Sequence, residues 1–401
     1  MPISLYVHIP FCIKRCIYCD FVSGPYTPEK AAAYVEALKQ EISAIPADRP
    51  LSTLYIGGGT PTVLTSEQIS DLARHIFTHF SFSPLLNKGG QGGVEATIEA
   101  NPGTLDRDKL ISIRSAGINR ISIGVQSFNN EELSFLGRIH SGEEAEEAVR
   151  LARNTGFSNL GIDLIYGIPG QDINSWKRTL EKAVSLRPDH ISAYELTVEK
   201  GTLLYEYINN PPLIPPLSKG GRRGSNISCL NEDEIIGMYE HTIDHLKAEG
   251  YLHYEISNFA LPGSFSRHNL NYWDRGDYYG AGAGAHSFVN NIRSYNTADP
   301  DQYMKLVLEG KTPVEHSEEI TAEKAVSEAI FLGLRKTGGI NIEAFSRRYN
   351  INLPVFYEKE IKEMQGAGLI ETCCSECSYE TDIRLTRKGL ILSNEVFVRF
   401  I

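Results

Sequence analysis

The sequence predicts an α/β protein. A partial parallel barrel of six strand-helix repeats, a partial (β/α)6 barrel, precedes a smaller C-terminal α+β domain of winged-helix type. Apolar strand-like segments alternate with amphipathic helical segments from residue 4 to about 197. The strands are rich in Val and Ile, as expected when helices cover both faces of a parallel sheet. From residue 316 onward the pattern changes to three helices and two short strands.

Each barrel repeat begins with an apolar run and continues with apolar residues at helical spacing. The predicted strands are SLYVHI, STLYIGG, VEATIEANP, NRISIGVQSF, NLGIDLIYGIPG and DHISAYELT. The predicted helices between them are EKAAAYVEALKQEIS, SEQISDLARHIFTHF, DRDKLISIRSAG, GEEAEEAVRLARNTG and INSWKRTLEKAVSL. Because a parallel barrel carries its functional groups after the carboxyl ends of its strands, the motifs at these positions form the candidate site.

Two segments, 83–93 and 209–226, interrupt the alternation with a shared Pro-Leu and Lys-Gly-Gly pattern. Neither a helix nor a central strand accommodates such a pattern, so mobile surface loops without a catalytic role are expected. A partner-binding arm is the alternative for the second segment, where Lys219, Arg222 and Arg223 cluster. The chain is thereby divided into a barrel (1–200), an insertion and linker (201–230), a barrel-completing segment (231–315) and a C-terminal domain (316–401).

The barrel-completing segment is predicted to contain one helix, an extended run LHYEISNFA and a loop rich in glycine and aromatic residues, SRHNLNYWDRGDYYGAGAGAHSF. In the C-terminal domain, helices over EKAVSEAIFLGLRKTG, NIEAFSRRYN and PVFYEKEIKEMQGAG precede the strands LIET and IRLTRKG. A winged helix often binds DNA. The middle helix has few basic residues, however, and the sequence favours a scaffolding role.

The composition is that of an ordinary globular protein. With 401 residues, 41% of them hydrophobic, the chain can bury a large core without disulfides. It has no apolar run of the roughly 20 residues that a membrane span needs and no signal peptide, so the cytoplasm is the expected compartment. A net charge of -11 argues against nucleic-acid binding beyond a local basic patch.

Three of the seven cysteines, Cys12, Cys16 and Cys19, lie within eight residues directly after the first predicted strand. Clustered thiols in a reducing compartment indicate a metal or redox site, and soft sulfur ligands select zinc, copper(I) or iron-sulfur clusters. A structural zinc site needs a fourth ligand. His8 could complete the set, but it would lie on the strand and not at a matching spacing. A cubane cluster can leave one iron to a ligand that is not protein.

The CxxxCxxC spacing, with Tyr18 before the third cysteine, resembles the signature of the radical S-adenosylmethionine (SAM) superfamily. The resemblance implies that the three cysteines hold a [4Fe-4S] cluster. It also implies that the amino and carboxylate groups of SAM bind the fourth iron. One electron from the cluster then splits the sulfonium to give a 5'-deoxyadenosyl radical.

Further polar or glycine motifs follow the predicted strands. YIGGGTPTVL places Gly58, Gly59 and Thr60 at a strand end, where the missing side chains allow close approach to a ligand. Glu99 ends the third strand and Gln126 the fourth, and a further candidate, Asp163, lies on the fifth strand. Taken one at a time, these residues also suit a tight turn or a cap. Together they suit the mouth of a ligand-lined barrel.

LYVHIPFC, GGGTPT, SIGVQSF, IDLIYGIPGQ and LTRKGLILSNEVFVRF resemble one group of that superfamily, the oxygen-independent coproporphyrinogen III oxidases and the related HemW-type haem chaperones. The resemblance implies that Tyr6 and Tyr18 flank the cluster. It also implies SAM contacts from Gly58, Gly59, Thr60, Glu99 (to the amino group), Gln126, Arg138 and Asp163. An arginine can pair with a carboxylate and an aspartate can accept from ribose hydroxyls.

Three departures from the oxidase pattern favour the chaperone branch. The oxidases have a further cysteine two residues after the third, where this chain has Phe21. They also have an extended N-terminal segment, whereas the first strand here is predicted by residue 4. The chaperone branch carries an HNxxYW motif, present here from His268 to Trp273.

The HNxxYW motif implies that His268 is an axial ligand of haem iron, with aromatic residues as walls for the porphyrin. The alternative is a histidine that is hydrogen-bonded in a packed aromatic loop, and His286 is a second axial candidate. Cys373, Cys374 and Cys377 fall on the predicted wing hairpin. They are interpreted as incidental thiols, with a labile metal or redox site as the alternative.

The sequence therefore predicts a haem chaperone that binds a [4Fe-4S] cluster, SAM and haem and delivers haem to an acceptor haemoprotein. The expected partners are haem or another porphyrin, the acceptor and an electron donor for the cluster. A homodimer and a peripheral membrane contact are left open, and no nucleic acid is expected. The alternatives are a coproporphyrinogen III oxidase and a radical SAM enzyme acting on another tetrapyrrole or small molecule.

Overall fold

The computed structural model describes residues 2–82, 93–209, 230–374 and 381–401. Most of the two repeated low-complexity segments lies outside these residues, and so do the basic cluster at 219–223, Cys229 and Cys377. No helix within the described ranges is long and apolar enough to cross a membrane.

Seventeen strands are found in the described ranges: β1 Ile3–Ile9, β2 Phe11–Cys12, β3 Gly24–Pro25, β4 Leu51–Gly58, β5 Glu95–Ala100, β6 Arg120–Gln126, β7 Asn159–Tyr166, β8 His190–Glu195, β9 Leu252–Glu255, β10 Asn258–Ala260, β11 Tyr278–Ala281, β12 His286–Val289, β13 Ile292–Asn296, β14 Val314–Glu319, β15 Ile340–Asn341, β16 Ile370–Cys374 and β17 Thr381–Leu385.

The α-helices of the same ranges are α1 Pro28–Ala44, α2 Ser66–His79, α3 Arg107–Ser115, α4 Asn130–Leu136, α5 Gly142–Asn154, α6 Ile173–Ser185, α7 Leu203–Asn209, α8 Glu232–Ala248, α9 Arg267–Trp273, α10 Pro300–Leu308, α11 Ala322–Arg335, α12 Ile342–Tyr349, α13 Leu353–Phe356, α14 Glu358–Gly366, α15 Arg387–Ile391 and α16 Ser393–Phe397. Short 3-10 turns cover Pro61–Val63, Pro102–Thr104 and Val398–Phe400.

One twelve-stranded sheet organises the main part of the chain, in the order β14-β13-β12-β11-β1-β4-β5-β6-β7-β8-β10-β9. The seven central strands from β11 to β8 are parallel, and antiparallel strands extend both edges. This arrangement confirms the predicted α/β class with a large parallel sheet. The six predicted strands lie next to one another as β1 and β4 to β8, and the barrel-completing segment adds β9 to β13.

Register places alternating residues of the parallel strands on the inner face of the sheet. Tyr6 pairs with Tyr55, Tyr55 with Thr97, and Thr97 with Arg120. Since side chains alternate between faces, these residues share one face across four strands. The opposite face packs under the helices and contributes fully buried residues such as Leu54 to the main core.

The C-terminal domain has its own hydrophobic core and a three-stranded sheet in the order β15-β17-β16. The helices precede the hairpin as predicted, but the second strand is shorter than IRLTRKG. The Thr386 hydroxyl accepts a hydrogen bond from the Gly389 backbone N–H and so starts α15. The closing segment LILSNEVFVRFI, for which the sequence predicts no element, is mostly helical.

One prediction for irregular structure is wrong within the described residues, and one segment without a predicted element is helical. That segment is Leu203–Asn209, near the start of the predicted linker. The HNxxYW motif forms helix α9 and not a loop. The carboxylate of Glu95 accepts hydrogen bonds from the backbone N–H groups of Arg267 and His268, which start this helix. The Ser266 hydroxyl, which accepts from the Asn269 backbone N–H, is a local start signal for this helix. The Glu95 contact, 172 residues away in the sequence, leaves none.

Candidate functional site

The three clustered cysteines follow β1, at the carboxyl end of the parallel sheet. Cys12 ends the short strand β2, and Cys16 and Cys19 lie in the loop beyond it. All three are free thiols with partly exposed side chains. Across the loop, the backbone N–H of Ile17 donates to the Leu136 carbonyl at 3.2 Å. This bond fixes the cysteine loop against the end of α4.

Polar groups contact the thiols from neighbouring elements. The hydroxyl of Thr60 lies 3.5 Å from the Cys12 Sγ. The buried guanidinium of Arg138 donates from Nη1 to the Cys16 Sγ at 3.4 Å and from Nη2 to the Gly124 carbonyl at 2.7 Å. Its Nε has no hydrogen-bond partner in the described structure. A fixed positive charge therefore stands beside the thiols with one donor unused.

Burial raises the pKa of the Cys12 and Cys19 thiols, because the thiolate is the form that desolvation penalises. No group of three or more His, Cys, Asp or Glu side chains in the described ranges surrounds a position for a single metal ion.

The glycine motif lies on the next strand, where it faces the cysteine loop. A Cβ on Gly58, which has a φ of 110°, would lie 2.5 Å from the His8 ring, and one on Gly59 would lie 2.7 Å from the Phe11 carbonyl oxygen. Close packing against His8 and Phe11 therefore already requires glycine at these two positions. Gly58, Gly59 and Thr60 nevertheless line the cavity described below.

Glu99 is held at the end of β5 by two donors. The Tyr55 hydroxyl donates to Oε1 at 2.7 Å, and the Gly58 backbone N–H donates to Oε2 at 3.1 Å. Burial, reinforced by the negative charge of Asp163, raises the pKa of Glu99 to about 7. A carboxylate with this pKa can take up or release a proton near neutral pH.

Gln126 and Asp163 end the polar row. Gln126 has a φ of 67° at an irregularity in the pairing of β6 with β7, a strained conformation. Its side-chain Nε2 lies beside Gly124, where a Cβ would be 2.9 Å from it. Asp163 accepts from the Ser122 hydroxyl at 3.2 Å, and its burial raises its pKa. Both residues lie within reach of the cavity wall.

A single cavity of about 750 Å³ joins these groups. Its walls include the three loop cysteines and the predicted SAM contacts other than Tyr6: Tyr18, Gly58, Gly59, Thr60, Glu99, Gln126, Arg138 and Asp163. Phe21, which occupies the position of the oxidases' additional cysteine, is 62% exposed and also lines the cavity. The structure therefore brings together all but one of the residues predicted around the cluster and SAM.

Tyr6 is the exception and does not line this cavity. Its hydroxyl lies 2.9 Å from the His8 Nδ1, and the His8 Nε2 lies 2.8 Å from the Val22 carbonyl oxygen. Tyr6 thus contacts the cysteine loop only indirectly, because His8 stands between its hydroxyl and the loop.

His268 is buried at the amino-terminal side of the sheet, with 1% of its surface exposed. Its Nδ1 lies 2.8 Å from the Thr53 hydroxyl and its Nε2 lies 2.8 Å from the Tyr272 hydroxyl. The ring stacks on Tyr55, with centroids 5.1 Å apart. Burial, and next the charge of Arg120, lowers the pKa of His268 to about 3.

Both ring nitrogens of His268 are therefore engaged within the protein, and His268 does not line the cavity. The structure holds it in the arrangement of the alternative interpretation, a hydrogen-bonded histidine among aromatic residues. Axial ligation of haem stays a prediction that requires this arrangement to open. The second axial candidate, His286, is exposed on β12 and its ring lies 5.2 Å from that of Tyr295.

Sequence reasoning missed several cavity residues, among them Arg120, His190, Asn269 and Arg335. One signal was available. Arg120 is a charged residue on a central strand, in the same alternation as Gly124, and such a residue is costly to bury without a partner. Arg335 comes from the C-terminal domain, and no local pattern indicates that it reaches the barrel.

The sequence matches two family models, the radical SAM superfamily over residues 6–183 and the HemN C-terminal domain over residues 320–392. The "Heme chaperone HemW" of Bacillus subtilis is 35% identical over 402 residues, which cover 99% of each chain. The "Heme chaperone HemW" of Lactococcus lactis is 36% identical over 401 residues, 100% of this chain and 97% of that relative.

Among solved structures, coproporphyrinogen III oxidase (HemN) from Escherichia coli, described as a radical SAM enzyme, is similar with a TM-score of 0.78. The identity is 25%, and the match covers 100% of this chain and 90% of that chain. These findings confirm the resemblance that the cysteine spacing and the strand-end motifs indicate. The chain belongs to the radical SAM superfamily and, within its HemN-like group, to the HemW family.

Proposed function

We propose that the protein is a haem chaperone of the HemW type, which binds a [4Fe-4S] cluster, SAM and haem and transfers haem to an acceptor haemoprotein. The supporting observation is the single cavity of about 750 Å³ onto which three free thiols and a row of polar strand ends open. Its volume lies in the range of cofactor pockets. Relatives named heme chaperone match this chain over nearly its full length.

The donor chemistry around the thiols fits a cluster with an open iron. Cys12, Cys16 and Cys19 supply three soft ligands. The Arg138 guanidinium at the Cys16 Sγ supplies positive charge beside what would be an anionic centre. When bound, the cluster supplies the single electron that cleaves SAM.

The residues around Glu99 fit the amino acid part of SAM. The carboxylate of Glu99 can accept from an ammonium group, and the unpartnered Nε of Arg138 can donate to a carboxylate. Asp163, on the wall beyond them, can accept from ribose hydroxyls. This chain's residues would thereby hold the ligand by its charged and hydroxyl groups.

Haem binding is proposed from the HemW relatives and the HNxxYW motif. For His268 to ligate iron, its bond to the Tyr272 hydroxyl must break, since that bond occupies Nε2. The imidazole is neutral at physiological pH because burial lowers its pKa, so no proton has to leave before ligation.

The second candidate function is oxidative decarboxylation of coproporphyrinogen III. The observation that favours it is the match of the whole chain to the oxidase structure from Escherichia coli. The electron donor, the acceptor, a homodimer and a peripheral membrane contact stay predictions.

The test combines anaerobic cluster reconstitution, haem titration and a turnover assay. The wild type, His268→Ala and the control His286→Ala are titrated with haem, and transfer to an apo-haemoprotein is followed by absorbance. We expect the wild type and the control to bind and transfer haem and His268→Ala to lose most of its affinity. Decarboxylation of coproporphyrinogen III with SAM and reductant would overturn the chaperone proposal. If His268→Ala binds haem as tightly as the wild type, His268 is not an axial ligand and has only the structural role observed here.

A further inference from the structure

We propose that the inner end of the cavity is a second site, which binds the carboxylate of a ligand through Arg120 and His190. Both residues line the cavity, and neither is part of the site at the cysteine loop. Arg120 begins β6, four residues before Gly124, whose carbonyl accepts from Arg138. At the rise of a β-strand this separation is about 13 Å. Arg120 therefore enters the cavity closer to the amino-terminal end of β6 than the carbonyl that holds Arg138.

Arg120 is a buried cation without a bonded partner. Only 2% of its surface is exposed, and its Nε is buried without an acceptor. None of the hydrogen bonds or ion pairs found in the described ranges includes it. By contrast, Arg138 and Arg275 each donate to identified groups. Glu99 and Asp163 act on this charge electrostatically, but neither is bonded to it. A buried donor without an acceptor carries a free-energy penalty, which a bound anion would relieve.

The local sequence leaves room for this guanidinium. Gly161, on β7 between the strands of Arg120 and His190, has no side chain. A Cβ there would lie 3.5 Å from the Arg120 Nη2 and 3.6 Å from the His190 Cβ. The Arg120 head group and the His190 side chain thus share the space above Gly161.

His190 presents a second unused donor. It is 1% exposed, and its Nε2 lies 2.7 Å from the Tyr254 hydroxyl. The Tyr254 oxygen already accepts from the Ser266 backbone N–H. If the Tyr254 hydroxyl in turn donates its proton to the His190 Nε2, both the Ser266 N–H and the tyrosine O–H have an acceptor. This assignment places the imidazole proton on Nδ1, which is buried without an acceptor among the described residues.

The ligand must therefore bring acceptors, and the Arg120 fork suits a carboxylate. Asn269, in the HNxxYW motif, lines the same cavity, and its side-chain amide makes no hydrogen bond in the described structure. Two sources share this chemistry. One is a propionate of the tetrapyrrole, which rests on the proposed haem-binding function. The other is the carboxylate of a SAM molecule beyond the one at the cluster.

The experiment uses the full chain with its cluster reconstituted. Dissociation constants are measured for haem, haem dimethyl ester and SAM with the wild type, Arg120→Gln and Arg120→Lys. The control is Arg153→Gln, which removes an arginine that is paired with Asp189 outside the cavity. For a propionate, we expect the wild type to prefer haem over the ester by about tenfold or more. Arg120→Gln should remove this preference, and Arg120→Lys should keep part of it.

If Arg120→Gln instead lowers the total number of SAM molecules bound, or weakens SAM at least tenfold with haem unchanged, the carboxylate belongs to SAM. If neither binding nor stoichiometry differs from wild type, the site is overturned. If the wild type binds no haem, the proposed function is contradicted. The SAM measurements alone then decide whether the carboxylate site exists.

Thermal unfolding separates this role from a structural one. Arg120 lies near Glu99 and Asp163 and influences the pKa of each. If it served only to balance these charges, Arg120→Gln would lower the Tm of the ligand-free protein. For a binding group we expect an equal or higher ligand-free Tm and a loss of the ligand-induced rise. A lowered ligand-free Tm with wild-type affinities would overturn the proposal.

Discussion

Replacing Glu99 with glutamine tests the SAM site through its pH dependence. Burial raises the pKa of Glu99 from 4.5 to about 7. One pKa unit corresponds to about 1.4 kcal/mol, so the charged form is disfavoured by at most about 3.4 kcal/mol. This value is an upper limit because the carboxyl faces the cavity. The ammonium group of SAM would favour the carboxylate, so binding would release the proton that Glu99 holds below pH 7.

The affinity of the wild type for SAM should therefore rise with pH up to about 7. Above about pH 8, Glu99 is fully ionised and should cause no further change in the affinity. Each pH unit below 7 weakens binding by at most about tenfold. Glu99→Gln should bind weakly at pH 8 and lack this dependence. Equilibrium dialysis of reconstituted protein between pH 5.5 and 8.5 measures both, with Glu195→Gln, another cavity carboxyl, as the control. An identical pH profile for wild type and Glu99→Gln would refute the reasoning.

The same substitution has an effect on the ligand-free protein, with the opposite sign. The folded state holds the Glu99 proton between pH 4.5 and 7, where the unfolded state has released it. The stability contributed by this group is therefore full below pH 4.5 and is lost as the pH rises through 7. Glu99→Gln should remove this loss, and its free energy of unfolding should decline less than that of the wild type between pH 5 and 8 in urea titrations.

Three further outcomes are expected. Alanine in place of any one loop cysteine should abolish the cluster absorbance after reconstitution, whereas Cys373→Ala should retain it; a full cluster in any of the three loop variants would contradict the assignment. Arg138→Gln should lower the cluster midpoint potential, because it removes positive charge from the Cys16 sulfur and so disfavours the reduced form; an unchanged potential in a redox titration would oppose this. Tyr303→Phe should lower the free energy of unfolding by about 1–3 kcal/mol, because the hydroxyl donates to the buried Glu41 at 2.5 Å. Tyr279→Phe is its control in urea titrations, and equal losses would contradict the argument.

Much of the fold follows from local pattern. The alternation of Val- and Ile-rich runs with amphipathic segments predicts the six parallel strands and the helices between them, because burial on both faces imposes that composition. Deviations occur where a single side chain ends an element. Thr386 converts the end of a predicted strand into the start of α15. Thr202, whose hydroxyl accepts from the Tyr205 backbone N–H, starts α7 in a segment without a predicted element. Such caps involve one hydrogen bond and give no periodic signal.

The cysteine spacing and the strand-end motifs also sufficed to place one wall of the candidate site. Cys12, Cys16 and Cys19 are close in sequence, and parallel strands bring their carboxyl ends to one edge whatever the details of packing. For this reason Glu99, Gln126 and Asp163 line one cavity with the loop, as expected. Their shared position follows from topology, which the alternation already predicts.

By itself the sequence determined the parallel sheet, the edge that carries the site and the family to which the chain belongs. The tertiary structure decided which side chains are engaged and which are unused. Thr53, 215 residues away, occupies the His268 Nδ1. Arg120 is buried, and no described residue is hydrogen-bonded to its side chain. A local sequence pattern records neither fact, because hydrogen bonding at a buried group depends on atoms that only the folded chain brings within 3 Å of it.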